Sequence, residues 1–210
     1  MKHNKQLLVD YTEFNISPQM ITESENQNNG RVVVQGILQR AGSKNQNGRI
    51  YPKDILMREV ASYKKVQIAE RRALGELDHP ESSVVNLANV SHNITDAWFQ
   101  GDDVVGKVEI LDTPAGKILK ELLKAGIKLG ISSRGLGSVD QIDEATVQVG
   151  DDFELICWDF VSNPSTQGAF LKPQAMNESV NKHETSEWEQ CDKYCKVNHI
   201  IREILNDMEN

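Results

Sequence analysis

Residues 130–161, GISSRGLGSVDQIDEATVQVGDDFELICWDFV, decide the fold. Apolar and β-branched residues alternate with polar ones in three short runs, which is the period-2 signature of strands. Strands are expected near 130–141, 145–149 and 153–161. Gly150-Asp151-Asp152 supplies the tight turn between the last two. Glycine inside the first run is unusual, because it packs nothing and costs strand stability. It marks places where another backbone or a ligand must come close.

Upstream, RVVVQGIL at 31–38 and QLLVDYTE near 6–13 read as further strands, and 84–99 and 103–110 as two more, joined by a turn at Gln100–Asp103. Residues 15–30 are polar and turn-rich and are expected to form a loop. Pro52 begins a helix over 53–66, in which Ile55, Leu56, Val60, Tyr63 and Val66 recur at helical spacing. Asp112-Thr113-Pro114 begins a second helix, with Ile118, Leu119, Leu122 and Leu123 on one face and Gly126 at its end. About seven strands and two helices without regular alternation define an α+β chain, expected to be a mostly antiparallel, partly open β-barrel flanked by helices. The domain boundary is expected at 171. Beyond it, 172–210 read as an acidic linker and appended C-terminal helix. Residues 176–210 carry eight acidic and four basic side chains.

Composition excludes several function classes. The 210 residues carry a formal charge of −8, which opposes binding to phosphate backbones. The cluster Lys64, Lys65, Arg71, Arg72 reads as a solvated helix face. No run approaches the roughly 18 apolar residues of a membrane span, and the first fifteen residues lack the apolar run of a signal peptide. Three cysteines, Cys157, Cys191 and Cys195, are too few and odd in number for a disulfide framework. Cys157 reads as a small buried hydrophobe. Cys191, Cys195 and His199 are spaced by four, but on a helix the outer two lie about 12 Å apart, so they cannot share a metal. No cofactor is expected.

Chemistry concentrates in two motifs and one carboxylate. GELDHP at 75–80 places His79 before a proline, which keeps its backbone out of helical geometry. GISSRGLGS at 130–138 offers two hydroxyls. Because side chains alternate along a strand, Ser132 and Ser133 cannot face one cleft, whereas Ser132 and Arg134 can. A serine hydroxyl needs a neighbouring base, and the base needs a group that orients it. Asp159, inside the most apolar run of the chain, must have a partner to be buried; it is either that orienting group or a structural carboxylate bonded to amides or to Arg134. Arg134 in turn could pair with Glu76 or Asp159. The stretch NVSHNITDAW presents His92 as a sheet-surface residue.

GELDHP, GISSRGLGS and the WDFVSNPS-like strand end, together with NGRIYPKDIL at 47–56, resemble in type and order the prohead (capsid assembly scaffolding core) proteases of T-even-type bacteriophages over most of residues 30–165. The resemblance implies a serine endopeptidase, an assemblin-like barrel, and His79, Ser132 and Asp159 as catalytic residues, with Ser133 the competing nucleophile. Arg134, Ser133 and Gly135 would then serve the oxyanion or the substrate. It further implies action inside the prohead, in the host cytoplasm, on scaffolding core proteins and the major capsid protein, cleavage after Glu in a Leu/Ile-x-Glu context, and self-digestion. A homo-oligomer is possible, and neither nucleic acid nor membrane is an expected partner. Self-cleavage is expected at Ile21-Thr22-Glu23 in the 15–30 loop or at Ile201-Arg202-Glu203 in the tail, ahead of Leu119-Lys120-Glu121 and Ile142-Asp143-Glu144. The opposing reading is a non-catalytic capsid or scaffold component on the same barrel.

Overall fold

The computed structural model describes residues 5–78, 80 and 82–162, all in the first of the chain's two units, Met1–Ala169. Its strands are β1 (Gln6–Glu13), β2 (Val32–Arg40), β3 (Arg49–Ile50), β4 (Leu74–Glu76), β5 (Val90–Gln100), β6 (Asp103–Ile110), β7 (Gly130–Gly137), β8 (Val139–Asp143), β9 (Thr146–Val149) and β10 (Glu154–Val161). The helices are α1 (Pro18–Gln27), α2 (Lys53–Tyr63) and α3 (Pro114–Lys124). A π-helical turn over Lys64–Ile68 prolongs α2, and a short 3₁₀ turn over Leu87–Asn89 precedes β5.

The strands near 6–13, 31–38, 103–110 and 153–161 fall where expected, and so do both expected helices. Residues 15–30 do not form a loop. Ser17 caps α1 by accepting a hydrogen bond from the Met20 N–H, and Pro18 occupies the first turn, where its missing N–H costs nothing. Only Ile21 and Ser24 of α1 are buried, too few to print an apolar stripe on the sequence. Ser24 Oγ ties the helix to β2 by donating to Val33 O and accepting from Val33 N, both at 2.7 Å. The strand expected from residue 84 starts only at Val90, after the 3₁₀ turn.

Three sheets form: β1-β7-β10, β2-β6-β5-β4 and β3-β9-β8. Except for the parallel β3–β9 pair, every strand pairing is antiparallel. The first two sheets meet where β4 ends: Leu77 makes a single parallel bridge to Phe160, and Asp78 N–H donates to Phe160 O at 2.7 Å. The order thus runs β2-β6-β5-β4, across that bridge, to β10-β7-β1. At its two ends β1 and β2 approach each other without pairing. The fold is α+β and mostly antiparallel, as expected, and among the described residues the sheets form no closed barrel and leave a seam open between β1 and β2.

Leu8, Ile131, Trp158 and Phe160 of the β1-β7-β10 sheet pack toward Leu38, Ile94, Val104 and Val108 of the other large sheet, all at most 1% exposed. Edge-to-face ring pairs Phe14–Phe160 and Tyr63–Trp158 fix the packing. His92 is in this core, not on a sheet surface: it is fully buried and its ring stacks edge-on against Phe160. β5 shows no alternation from Val90 to Ile94 because α3 and the π-helical turn pack on it as well.

Candidate active site

β7 runs in the middle of its sheet, so its backbone groups are committed to ladders with β1 on one side and β10 on the other. The register sets Ser132 opposite Asp159 and Tyr11, and Arg134 opposite Cys157 and Val9. A bulge between Leu155 and Cys157 advances β10 by one residue. Beyond it, Cys157 and Asp159 share the face of Ser132 and Arg134. Ser133 and Gly135 project to the opposite, core-side face. There Ser133 Oγ lies 3.5 Å from Asp10 O, and a Cβ at Gly135 would come within 2.4 Å of the Phe153 ring, so this glycine makes room for packing.

The shared face of Ser132, Arg134 and Asp159 holds a buried ionic network. Arg134 is fully buried; its Nη2 donates to Glu76 Oε1 at 2.8 Å and to Asp159 Oδ1 at 3.2 Å, and its Nε lies 2.9 Å from Asp159 Oδ2. Its Nη1 donates to Ser82 O at 2.8 Å, and Cys157 Sγ lies 3.2 Å from Nε. Burial lowers the Arg134 pKa, but Cys157, Asp159 and Glu76 outweigh it and hold the pKa raised, so the guanidinium stays charged. Burial pushes the Asp159 carboxyl up, against the opposing pull of Arg134 and of the Glu76 N–H that donates to Oδ1 at 2.9 Å. Burial likewise pushes the Cys157 thiol well up, which leaves it a protonated, weak donor.

GELDHP owes its composition to this network. Gly75 is required because a Cβ there would sit 2.1 Å from Trp158 O and 2.3 Å from His92 Nε2. Glu76 is fully buried against Arg134, and its Oε1 also accepts from Asn86 N. Asp78 adopts a left-handed backbone (φ 63°) while its N–H is anchored on Phe160 O. The two described ends of the 78–82 segment, Asp78 and Ser82, are therefore fixed beside Phe160 and Arg134. His79 itself lies outside the described residues.

Three polar atoms of this cluster are buried with no hydrogen-bond partner among the described residues: Ser132 Oγ, Asp159 Oδ2 and Glu76 Oε2. Asp159 Oδ2 has the ion contact with Arg134 Nε, but no directed hydrogen bond. Buried polar groups are almost always satisfied, so this concentration makes the cluster the candidate site. Asp159 and Arg134 are each other's partners, as one reading of the sequence allowed, and Glu76 joins them. Glu76 and Asp159, the two partners the sequence offered for Arg134, both pair with it.

His92 Nε2 donates to Trp158 O at 2.9 Å, which leaves Nδ1 to accept from Ser91 Oγ at 2.9 Å. Burial pushes its pKa down to about 4, with the Trp158 carbonyl opposing. It is a neutral structural imidazole one residue removed from Asp159. No group of side chains able to hold a metal occurs among the described residues, and no helix there is long and apolar enough to cross a membrane. The Cys191, Cys195 and His199 trio and the tail's self-cleavage triplet lie outside the described residues.

A buried serine and a buried aspartate opposite it, beside the anchored ends of the segment that carries His79, make up the candidate site, and comparison with known proteins gives the class of the chain. The chain belongs to the family of prohead core protein serine proteases, whose family model matches residues 15–181. It is 36% identical over 149 residues to the prohead core protein protease of Enterobacteria phage T4, covering 70% of each chain. Its fold is similar to the solved structure of the bacteriophage T4 capsid assembly protease, with a TM-score of 0.66 and 28% identity over 77% of this chain and 99% of that one.

Proposed function

We propose that this protease is a serine endopeptidase of the phage prohead in which Ser132 is the nucleophile, His79 the general base and Asp159 the third catalytic residue. The observation that carries the reading is the pair of unsatisfied buried atoms on facing strands, Ser132 Oγ and Asp159 Oδ2. An imidazole between them would accept the Ser132 proton on one nitrogen and donate its N–H to Asp159 Oδ2 from the other. The freed alkoxide attacks the scissile carbonyl. The imidazolium then protonates the departing amine, and water repeats the sequence to release the acyl group.

Arg134 acts through Asp159 rather than on the substrate, since its contacts with Glu76, Asp159 and Ser82 O already occupy most of its donors. Its charge still contributes positive potential for the oxyanion. Ser133 and Gly135, on the core side, serve packing. The substrates are scaffolding core proteins and the major capsid protein inside the prohead, cut after Glu in a Leu/Ile-x-Glu context, with self-digestion afterwards. Residues 172–210 form a tail that docks the enzyme to the scaffold or keeps it as a precursor. An assemblin-like ancestry of the barrel accords with the mostly antiparallel strand order.

The test is cleavage of a fluorogenic peptide ending in Ile-x-Glu by the wild type, Ser132→Ala, His79→Ala and Ser133→Ala. Activity lost in the first two variants and kept in the third supports the assignment. Equal cleavage by Ser132→Ala and wild type removes the assignment, and no cleavage by either favours the non-catalytic capsid component.

A further inference from the structure

The open seam between β1 and β2 is a cleft of about 400 Å³ lined by Asp10–Glu13 on one wall and by Ile37, Gln39 and Arg40 on the other. Both walls are edge strands. At one end Phe14 closes it, its ring seated on Gly36, where a Cβ would come within 2.3 Å. At the other end Val9 O accepts from Asn47 Nδ2 at 2.8 Å and from Arg49 Nη1 at 3.0 Å. Those contacts show that Val9 turns its backbone groups away from β7. Since these groups alternate along an antiparallel strand, Tyr11 and Glu13 turn theirs the same way, toward the cleft. Among the described residues no strand receives them.

Gln39 supplies the second observation. It is 3% exposed and lines the cleft, and among the described residues neither its Nε2 nor its Oε1 has a hydrogen-bond partner. A buried amide with both ends unsatisfied costs stability and calls for an explanation. The neighbouring Asp10 carboxylate is engaged elsewhere, by Tyr51, Arg49 and Asn47. An amide that offers one donor and one acceptor is the complement of a single peptide group.

We propose that the seam binds an extended segment of a polypeptide substrate as an added strand. The segment pairs with the free edge of β1 at Tyr11 and Glu13 and exchanges hydrogen bonds with the Gln39 amide on the opposite wall. Recognition is through the main chain, so it is tolerant of side chains. That suits an enzyme acting on several polypeptides, and to this extent the inference rests on the proposed function. β7 lies between the added strand and β10, two strand spacings or about 10 Å from the edge position. The segment held in the seam is therefore not the one being cut, and the seam is an exosite that retains long chains and is indifferent to short peptides.

The experiment uses full-length Ser132→Ala protein, so that binding is read without cleavage. The probe is reduced, carboxymethylated α-lactalbumin, a permanently unfolded polypeptide, with fluorescence anisotropy for affinity and hydrogen exchange for location. The expected results are added protection of the Tyr11 and Glu13 amides and an affinity at least tenfold weaker in Gln39→Leu and in Glu13→Pro. Glu13→Pro removes an edge N–H without breaking a bond to β7. The melting temperature of Gln39→Leu should be equal or higher, since an unsatisfied amide is replaced by an apolar group of similar size; a purely structural Gln39 gives a lower one. Unchanged affinity in both variants overturns the proposal. So does protection of Tyr11 and Glu13 in the free protein, which assigns the seam to the chain's own residues 163–210 if independent of concentration and to a second copy if it rises with concentration. Cleavage by the wild type is scored separately, so a peptidase without this binding and a binder without peptidase activity are told apart.

Discussion

Asp159 on β10 faces Ser132 on β7 across one antiparallel pair, and each carries a buried oxygen without a directed hydrogen bond among the described residues, Asp159 Oδ2 keeping only its ion contact with Arg134. Side chains so paired lie about 5 Å apart at Cβ, close enough for one imidazole to reach both.

Replacing Asp159 with Asn keeps the shape of the side chain but removes the charge that stabilises an imidazolium. Turnover of the fluorogenic peptide should fall by about 10³- to 10⁴-fold with KM little changed. A loss of less than about tenfold would make Asp159 a structural partner of Arg134 alone.

Among the described residues Arg134 is the single cation serving two buried carboxylates, Glu76 and Asp159. Arg134→Met strands both and should cost about 3–5 kcal/mol in urea unfolding. Adding Glu76→Gln to that variant removes one stranded charge and should return part of the loss. A single-variant cost below about 1 kcal/mol would mean the network is solvated.

The folded-state pKa of His92 lies near 4, below its unfolded value near 6.5. The unfolded chain therefore takes up a proton first as the medium is acidified. The stability that His92 contributes is complete above pH 6.5 and is lost as pH falls toward 4, up to about 3 kcal/mol. Asp159 works the other way, since its raised pKa gives stability that is complete below its unfolded value and lost as pH rises through the folded one. The comparison of wild type with His92→Gln isolates the histidine. Urea midpoints at pH 7.5, 5.5 and 4.5 should fall more steeply in the wild type, and parallel slopes would contradict this.

The structure reorders the candidate self-cleavage sites. Ile21 is fully buried in α1, so Ile21-Thr22-Glu23 is not in an accessible loop. Ile142-Asp143-Glu144 lies at the β8–β9 turn with Ile142 54% exposed. Cleavage needs mobile, accessible backbone, so among the described residues Glu144 should be cut before Glu23 or Glu121. Mass spectrometry of a self-digestion time course checks the order, and Glu144→Gln should delete the first product from the described region.

Much of this was legible in the sequence where one physical signal acts alone. Alternation in GISSRGLG correctly separated Ser132 and Arg134 from Ser133, because the strand period is set locally. The helix α1 was hidden, since Ser17-Pro18 begins a helix as readily as a turn and the helix buries so little. His92 was misplaced because β5 is covered on both faces, which erases the alternation used to read it. The pairing of Arg134 with Glu76, 58 residues apart, depends on β4 meeting β10 through the Leu77–Phe160 bridge. The sequence offered Glu76 and Asp159 as alternative partners for Arg134, but no local pattern says that both are met at once. The seam between β1 and β2 was equally hidden, since the sequence suggested a barrel and could not say where it stays open.

The most direct measurement is the site of covalent modification by a peptidyl phosphonate carrying a terminal glutamate analogue, read by tandem mass spectrometry of full-length protein. The account predicts one adduct, on Ser132, absent from Ser132→Ala and His79→Ala and retained in Ser133→Ala. An adduct on Ser133, or none while the peptide is still cleaved, would contradict it.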